Sequence, residues 1–166
     1  MRSSLTVTER LRLTPVRRRE HLLFNLLNFV YFRKRDYSRG FSIESNPFFT
    51  FTVVPYTVFS EVYFFRQARY FAKLEQQVVG VLALEGRIGT LYVSSLAVSP
   101  FFRRNGVATF LLNRATALAR QLGLGGLELS VNKRNTPALK LYERYGFRKK
   151  AEGFNSYVLR KDLEEH

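Results

Sequence analysis

The sequence predicts an α/β fold of the mixed α+β kind, in which a mostly antiparallel sheet contains one parallel pair of strands. Between residues 70 and 98, short strand-like segments follow one another with turns that leave no room for a helix. Such a series forms an antiparallel meander. From residue 90 to residue 131 a strand, a helix and a second strand alternate, which is typical of a parallel pair joined by a crossover helix.

Length and composition favour one folded domain over residues 1–166. The chain is 46% hydrophobic and has no cysteine, so it can fill a core but cannot form disulfides, thiolate metal sites or a cysteine nucleophile. We predict no metal site. The sequence has no secretory signal pattern and no apolar run of about 20 residues, so we expect a cytoplasmic protein without a membrane span. We further expect a monomer or homodimer.

The charge is strongly positive and unevenly distributed. Lysine and arginine number 27 against 13 acidic residues, and residues 41–90 are neutral overall, with four of each sign. A positive surface raises the local concentration of anionic ligands. The ligand can be a small polyanion, and contact with nucleic acid or a ribosome is the alternative. Scattered bases also commonly do no more than solvate a surface.

In the N-terminal third of the chain, the sequence pattern predicts less regular elements. Residues 7–14 alternate apolar and polar side chains and predict a strand, after which Thr14 and Pro15 predict the start of a helix. The segment from His21 to Phe32 is apolar nearly all round. We interpret it as a buried core helix, with a wall of the substrate site or a basic surface helix that touches a membrane as alternatives.

An aromatic-rich segment follows over residues 41–71 and holds 11 of the 25 aromatic residues. Pro47 and Pro55 interrupt it, so we expect short irregular pieces and a helix from Ser60 to Arg69. Core packing is the default interpretation of this segment.

The elements after residue 70 follow clear signals. Strands are predicted over residues 70–75, 78–85, 90–98, 127–131, 147–151 and 154–160, with turns at 76–77, 86–89 and 152–153. One helix begins at Val107 and ends at Gly123, a predicted C-cap. The other has Thr136 as its N-cap, Pro137 in its first turn and Gly146 at its end.

The loop between Pro100 and Val107 predicts a site for a phosphate group. The N-terminus of a helix offers unpaired N–H groups, and Gly106 lets an anion approach the backbone closely. Arg103 and Arg104 add guanidinium groups that attract phosphate. A solvated loop with a glycine turn is the alternative interpretation.

Two motifs identify a family. Residues 103–108, RRNGVA, fit the pattern (Gln or Arg)-x-x-Gly-x-(Gly or Ala), and residues 135–147 fit Asn-x-x-Ala-x-x-Leu-Tyr-x-x-x-Gly-Phe. Over residues 70–160 the chain resembles the GNAT family, the GCN5-related N-acetyltransferases. The resemblance implies a GNAT-like fold with helices on both faces of the sheet, a splayed parallel pair that admits acyl-CoA, and residues 15–69 on the acceptor side.

The resemblance also implies acetyl-CoA as the cofactor and names the residues that bind it. The pantetheine arm would bond to the backbone of Leu96, Ala97 and Val98, and Arg103 would attract the phosphates. The pyrophosphate would lie on the amides of Arg104, Asn105, Gly106, Val107, Ala108 and Thr109. Asn135 is either a cofactor contact or a turn or capping residue.

Tyr142 matches the tyrosine acid of the family. A phenol near pKa 10 protonates a thiolate near 8.5 uphill by about 2 kcal/mol on reference values. We therefore expect Tyr142 to donate a hydrogen bond to the departing sulfur, with full transfer only if its pKa is lowered. A ring in the core is its structural alternative, because Ala138, Leu141 and Tyr145 share its helical face.

A general base is not evident from the sequence. Ser94 and Ser95 stand where many family members have an acidic residue, and no carboxylate lies between Glu85 and Glu128. Glu61 and Glu85 remain candidates by composition, although both are more simply surface charges, and a water chain is an equal alternative. The hypothesis is an acceptor whose amine has a low pKa, such as a protein N-terminus or a small amino compound.

Two other functions remain open at this point. The chain can be a catalytically idle acyl-CoA-binding or sensory domain that kept the phosphate site without the base. It can also be a basic domain associated with RNA or a ribosome, in which the arginines contact the phosphate backbone.

Overall fold

The structure, a computed structural model, describes residues 6–33 and 67–163. Four α-helices and seven β-strands lie in these ranges. In chain order they are α1 (Val7–Arg10), β1 (Leu11–Pro15), α2 (His21–Arg33), β2 (Gln67–Leu74), β3 (Gln77–Arg87), β4 (Thr90–Val98), α3 (Val107–Gln121), β5 (Gly126–Asn132), α4 (Thr136–Arg144), β6 (Arg148–Glu152) and β7 (Ser156–Asp162).

All seven strands form one sheet in the order β1-β2-β3-β4-β5-β7-β6. Five of the neighbouring pairs are antiparallel, and β4 pairs with β5 in parallel. The predicted mixed sheet with one parallel pair is therefore confirmed. The parallel pair lies in the interior of the sheet because α3 carries the chain from the end of β4 back to the start of β5.

Helices pack on both faces of the sheet, as the resemblance implied. On one face Leu82 and Leu129 of the sheet pack with Leu111 of α3 in the larger core cluster. On the other face Phe24 of α2 packs against Phe71 and its neighbours in a smaller cluster. The alternation of side chains along β2 and β3 supplies both clusters, since successive residues of a strand point to opposite faces.

The first strand is shorter than predicted. Residues 7–10 form the helix α1 instead of a strand, because Thr6 and Glu9 close its first turn through a hydrogen bond from Thr6 N to Glu9 Oε2 of 2.6 Å. The prediction that Pro15 starts a helix is also wrong. Pro15 ends β1, and α2 begins at His21 after a turn of 3₁₀ helix.

The helix predicted over His21 to Phe32 is present, but its burial is limited to one side. Phe24 is 2% exposed, whereas Leu22 is 70% and Leu26 is 55% exposed. Since α2 has 13 residues, it is short for a membrane span. Across the described ranges, no helix is long and apolar enough to cross a membrane.

Most of the aromatic-rich segment lies outside the described residues. This part includes the predicted helix up to residue 66 and the candidate base Glu61. The last three residues of that predicted helix, 67–69, belong to β2. There the prediction is wrong, because Gln67 to Arg69 pair with β3 from Glu85 to Ala83. A strand partner from elsewhere in the chain has overridden the local pattern.

The remaining elements agree with the predictions to within a few residues. The turn predicted at 86–89 is shorter, because Gly86 and Arg87 pair with β4, and the turn predicted at 152–153 lies at 153–155, because Glu152 pairs with Tyr157. β4 has the predicted bounds of 90–98, and α3 begins at Val107. Gly123 and Gly146 follow the two helices with φ of 64° and 97°, a left-handed conformation that glycine adopts readily. The N-cap of α4 is Asn135 rather than Thr136, because Asn135 Oδ1 accepts a hydrogen bond from Ala138 N at 3.2 Å.

Candidate active site

β4 and β5 are paired over only part of their length. Their parallel register runs from Leu91 opposite Leu127 to Val93 opposite Leu129, while β4 continues to Val98 and β5 to Asn132. A cleft of about 130 Å³ lies where the strands separate. Its lining consists of Val93, Ser94, Ser95, Leu96, Leu129, Ser130, Val131, Asn132, Asn135, Ala138, Leu141 and Tyr142.

A β-bulge in β4 lies at the mouth of this separation. Opposite β3, Ser95 pairs with Ala83 and Val93 pairs with Leu84, so Ser94 is an extra residue. In a regular strand Val93 and Ser95, two residues apart, would point to the same face of the sheet. The extra residue Ser94 places their side chains on opposite faces instead. Val93 therefore packs with the α3 side of the core, while Ser95 meets α2.

The contact between Ser95 and α2 is a hydrogen bond. Ser95 Oγ donates to Asn28 Oδ1 at 2.6 Å. The two residues are 67 positions apart in the chain, so the sequence carried no local signal for this contact. The bulge and the packing of α2 on the sheet together bring a second element to the edge of the cleft.

The loop before α3 has the backbone shape that the motif predicted. Arg104 and Gly106 have φ of 66° and 77°, and Gly106 is the N-cap of α3 without a side-chain cap bond. The first amides of a helix have no partner within it. Those of Val107, Ala108 and Thr109 are therefore suited to an anion such as a pyrophosphate.

Helix α1 lies against this loop and restricts what residue 106 can be. A Cβ atom on Gly106 would approach Thr8 Cγ2 to 2.6 Å, closer than side chains pack. The left-handed φ favours glycine there, and a larger residue would have to displace the exposed side chain of Thr8. Glycine at this position therefore adds no side chain of its own beside the α3 N-terminus.

The arginines of the motif occupy different surroundings. Arg103 is half-buried, and its Nε donates to the Val98 carbonyl at 3.4 Å. Arg104 and Asn105 are exposed. Arg103 therefore makes one long hydrogen bond between the loop predicted to hold phosphates and the end of the strand predicted to hold a pantetheine arm.

Tyr142 lies on α4 where it serves both the core and the cleft. It is 8% exposed, packs edge-on against Phe147 at 5.6 Å between ring centroids, and lines the same cleft as Ser94. Asn135, at the start of the same helix, caps it and lines the cleft as well. The capping interpretation of Asn135 is confirmed.

The neighbouring Tyr145 fixes α4 to α3. Its hydroxyl donates to Asn113 Oδ1 at 2.8 Å and lies 3.0 Å from Thr116 Oγ1, and burial raises the pKa of this phenol. Tyr145 is the C-cap of α4 and follows Tyr142 by three residues, so this anchor also helps to position Tyr142 relative to α3.

The cleft is lined without charged side chains in the part of the chain that the structure describes. Glu85 lies on β3 opposite Tyr92 and does not line it. Glu128 is buried but accepts hydrogen bonds from Lys150 Nζ at 2.5 Å and Arg160 Nη1 at 3.2 Å. The Lys150 hydrogen bond, more than the charges around it, holds the pKa of this carboxyl below its usual value, so Glu128 is a poor proton acceptor.

Comparison with known proteins gives the same picture. The sequence model of the acetyltransferase (GNAT) family matches residues 35–147. The chain is 44% identical over 62 residues to the chloroplastic GCN5-related N-acetyltransferase 4 of Arabidopsis thaliana, a match that covers 37% of this chain. The chain thereby spans 21% of the length of that curated relative.

Solved structures share the fold. The PaiA N-acetyltransferase of Thermoplasma acidophilum, in complex with coenzyme A, superposes with a TM-score of 0.67 and 12% identity, covering 92% of this chain and 99% of that one. A GNAT family acetyltransferase of Elizabethkingia anophelis with acetyl-CoA bound gives 0.63 and 16%, covering 93% and 99%.

Both of these proteins share this fold, and their structures contain coenzyme A and acetyl-CoA, respectively. The separated strands, the glycine turn before α3 and the motif around Tyr142 occur here in a single chain. With the family model matched over residues 35–147, the chain belongs to the GNAT acetyltransferase family.

Proposed function

We propose that this chain is an acetyl-CoA-dependent N-acetyltransferase, which moves an acetyl group to a primary amine by direct attack in a ternary complex. The observation that carries the proposal is the separation of β4 from β5 after Val93 and Leu129. It leaves a cleft whose described lining carries no charged side chain, with the α3 N-terminus at the end of β4 and Tyr142 on its wall.

The backbone does most of the cofactor binding in this proposal. Leu96, Ala97 and Val98 bond the pantetheine arm as a further strand would. The amides from Arg104 to Thr109 hold the pyrophosphate, with Arg103, Arg104 and Asn105 around them and Asn135 at the cleft. Gly106 supports this role because its left-handed φ forms the turn into α3 and it adds no side chain beside these amides.

The cofactor supplies an acetyl group already activated as a thioester. The chain therefore has to align the amine with the acyl carbon, polarise the acyl oxygen and stabilise the departing sulfur. During transfer the amine nitrogen bonds to the acyl carbon while the carbon–sulfur bond breaks, and the amine loses a proton as the sulfur gains one. A backbone N–H near Leu96 polarises the acyl oxygen. Tyr142 donates a hydrogen bond to the departing sulfur.

The acceptor is an amine of low pKa, such as a protein N-terminus or a small amino compound. Neutralising a lysine amine near pKa 10.4 at pH 7 costs about 4.6 kcal/mol, whereas an α-amine near 7.8 costs about 1 kcal/mol. The uncharged lining of the cleft supports this choice, since a carboxylate that could take the proton is not among its described residues.

We retain the single domain over residues 1–166 and the cytoplasmic location as predictions.

Release of coenzyme A with a panel of amines tests the proposal. We expect turnover with the α-amine of a short peptide, and slower turnover with the lysine side chain of an N-terminally blocked peptide at pH 7. Faster turnover of the lysine peptide would contradict the choice of acceptor.

Binding measurements separate the two other functions. Heat of binding to acetyl-CoA without turnover of any amine would identify an idle acyl-CoA-binding domain. RNA binding that weakens steeply with salt and persists with saturating acetyl-CoA would identify a nucleic-acid function.

A further inference from the structure

We infer that Ser95, oriented by Asn28, is the group that receives an N–H of the attacking amine and thereby selects acceptors that arrive uncharged. This inference rests on the proposed function and extends it, because it assigns residues of two separate elements to the acceptor end of the cleft.

The hydrogen-bond direction at Ser95 is the first argument. A serine hydroxyl has one proton to donate and two lone pairs that accept. Ser95 Oγ donates that proton to Asn28 Oδ1 at 2.6 Å, so the oxygen keeps acceptor capacity. Ser95 also lines the cleft, and an amine nitrogen inside it offers the N–H that such an oxygen accepts.

The location of Ser95 is the second argument. The extra residue Ser94 turns Ser95 onto the α2 face of the sheet, next to Leu96, whose backbone is the proposed site of the acyl group. Tyr142 lines the same cleft from α4. An amine held by Ser95 would therefore approach from the α2 side, while the departing sulfur lies toward α4.

The chemistry of Asn28 is the third argument. An amide oxygen accepts a hydrogen bond but is a very weak base, so Asn28 cannot take a proton through Ser95. The pair therefore holds an amine without deprotonating it, and the proton of the amine leaves to water. An ammonium group must lose a proton before it enters, which favours acceptors of low pKa.

The replacement Asn28→Asp tests this assignment, because it places a carboxylate within reach of the Ser95 hydroxyl. The amine can then pass a proton to Ser95 Oγ while Ser95 passes its own to the carboxylate. A positioned base of this kind contributes roughly 100-fold or more. We expect the ratio of kcat/KM for the lysine peptide to that for the α-amine peptide to rise at least about tenfold.

Two variants of Ser95 give an independent reading. We expect Ser95→Ala to lower kcat for the α-amine peptide about tenfold, the effect of one lost hydrogen bond to the reacting group, with unchanged acetyl-CoA affinity. Ser95→Thr keeps the hydroxyl and should restore most of that loss. A role limited to packing would be disturbed more by the added methyl group than by the lost oxygen.

The matched control is Asn25→Asp, which adds the same charge to α2 one turn earlier and should leave the acceptor ratio unchanged. Thermal melting and calorimetry with acetyl-CoA establish that each variant is folded and binds the cofactor. The inference is overturned if wild-type protein turns over amines and the Asn28 and Ser95 variants keep its rate and acceptor ratio. If the wild type turns over no amine, the proposed function fails and this inference fails with it.

Discussion

Replacing Gly106 with alanine tests whether the phosphate loop has the left-handed shape described above. At φ of 77°, an alanine is disfavoured by roughly 1 to 2 kcal/mol, and its Cβ would meet Thr8 Cγ2 at 2.6 Å. Alanine also restricts the unfolded chain, which offsets about 0.4 to 1 kcal/mol. These two terms alone leave about 0 to 1.6 kcal/mol. The contact with Thr8 adds to this cost, so we expect a net loss of about 1 to 2 kcal/mol in the free energy of unfolding.

The two contributions to this loss can be separated. Thr8→Ser removes the methyl group that the Cβ of Ala at position 106 would meet. The double variant Gly106→Ala with Thr8→Ser should therefore recover the steric contribution to the lost free energy of unfolding and keep the contribution from the left-handed φ. Urea unfolding measures the free energies. The control is Gly86→Ala, because Gly86 has open space around it and no positive φ. If Gly106→Ala were as stable as Gly86→Ala, the left-handed turn would be wrong.

The cofactor adds a second measurement on the same loop. Calorimetry with acetyl-CoA should show weaker binding to Gly106→Ala and none to Gly106→Glu, because glutamate adds bulk and negative charge where phosphates are proposed to lie. Undiminished affinity in Gly106→Glu, in protein that melts as a folded domain, would place the phosphates elsewhere.

Three further outcomes follow from the site and its supports. Tyr142→Phe should lower coenzyme A release about tenfold or more with nearly unchanged acetyl-CoA affinity, and an unaltered rate would remove the phenol from the mechanism. Tyr145→Phe loses the bonds to Asn113 and Thr116 and should destabilise the protein by about 1 to 2 kcal/mol in urea unfolding. Glu128→Gln should cost about 1 kcal/mol at neutral pH, since Lys150 is half exposed and solvent screens the pair.

The pH dependence of Glu128 has a definite sign. Its pKa is lowered in the folded protein, chiefly by the hydrogen bond from Lys150, so its stabilisation is present above the unfolded value near 4.3. It is lost as pH falls through the folded value. The stability difference between wild type and Glu128→Gln should therefore shrink below about pH 4.3, and a difference that grew there would contradict the ion pairing.

Some predictions held because their signals are local. The bounds of β4 and the start of α3 follow from Pro100, which restricts φ, and from Gly89 and Gly106, which readily adopt the positive φ of a turn. The predictions failed where a partner decided the outcome. Residues 67–69 became a strand because β3 pairs with them, and residues 7–10 became a helix although their polar alternation resembled a strand.

The candidate site divides in the same way. The sequence by itself determined the family motifs, the glycine turn before α3 and Tyr142, since each depends on residue types at fixed short spacing. Only the tertiary structure decided that β4 and β5 separate after Val93, that Ser94 is a bulge and that Ser95 meets Asn28. Strand register and helix packing join residues far apart in the chain, and no local pattern of side chains specifies such contacts.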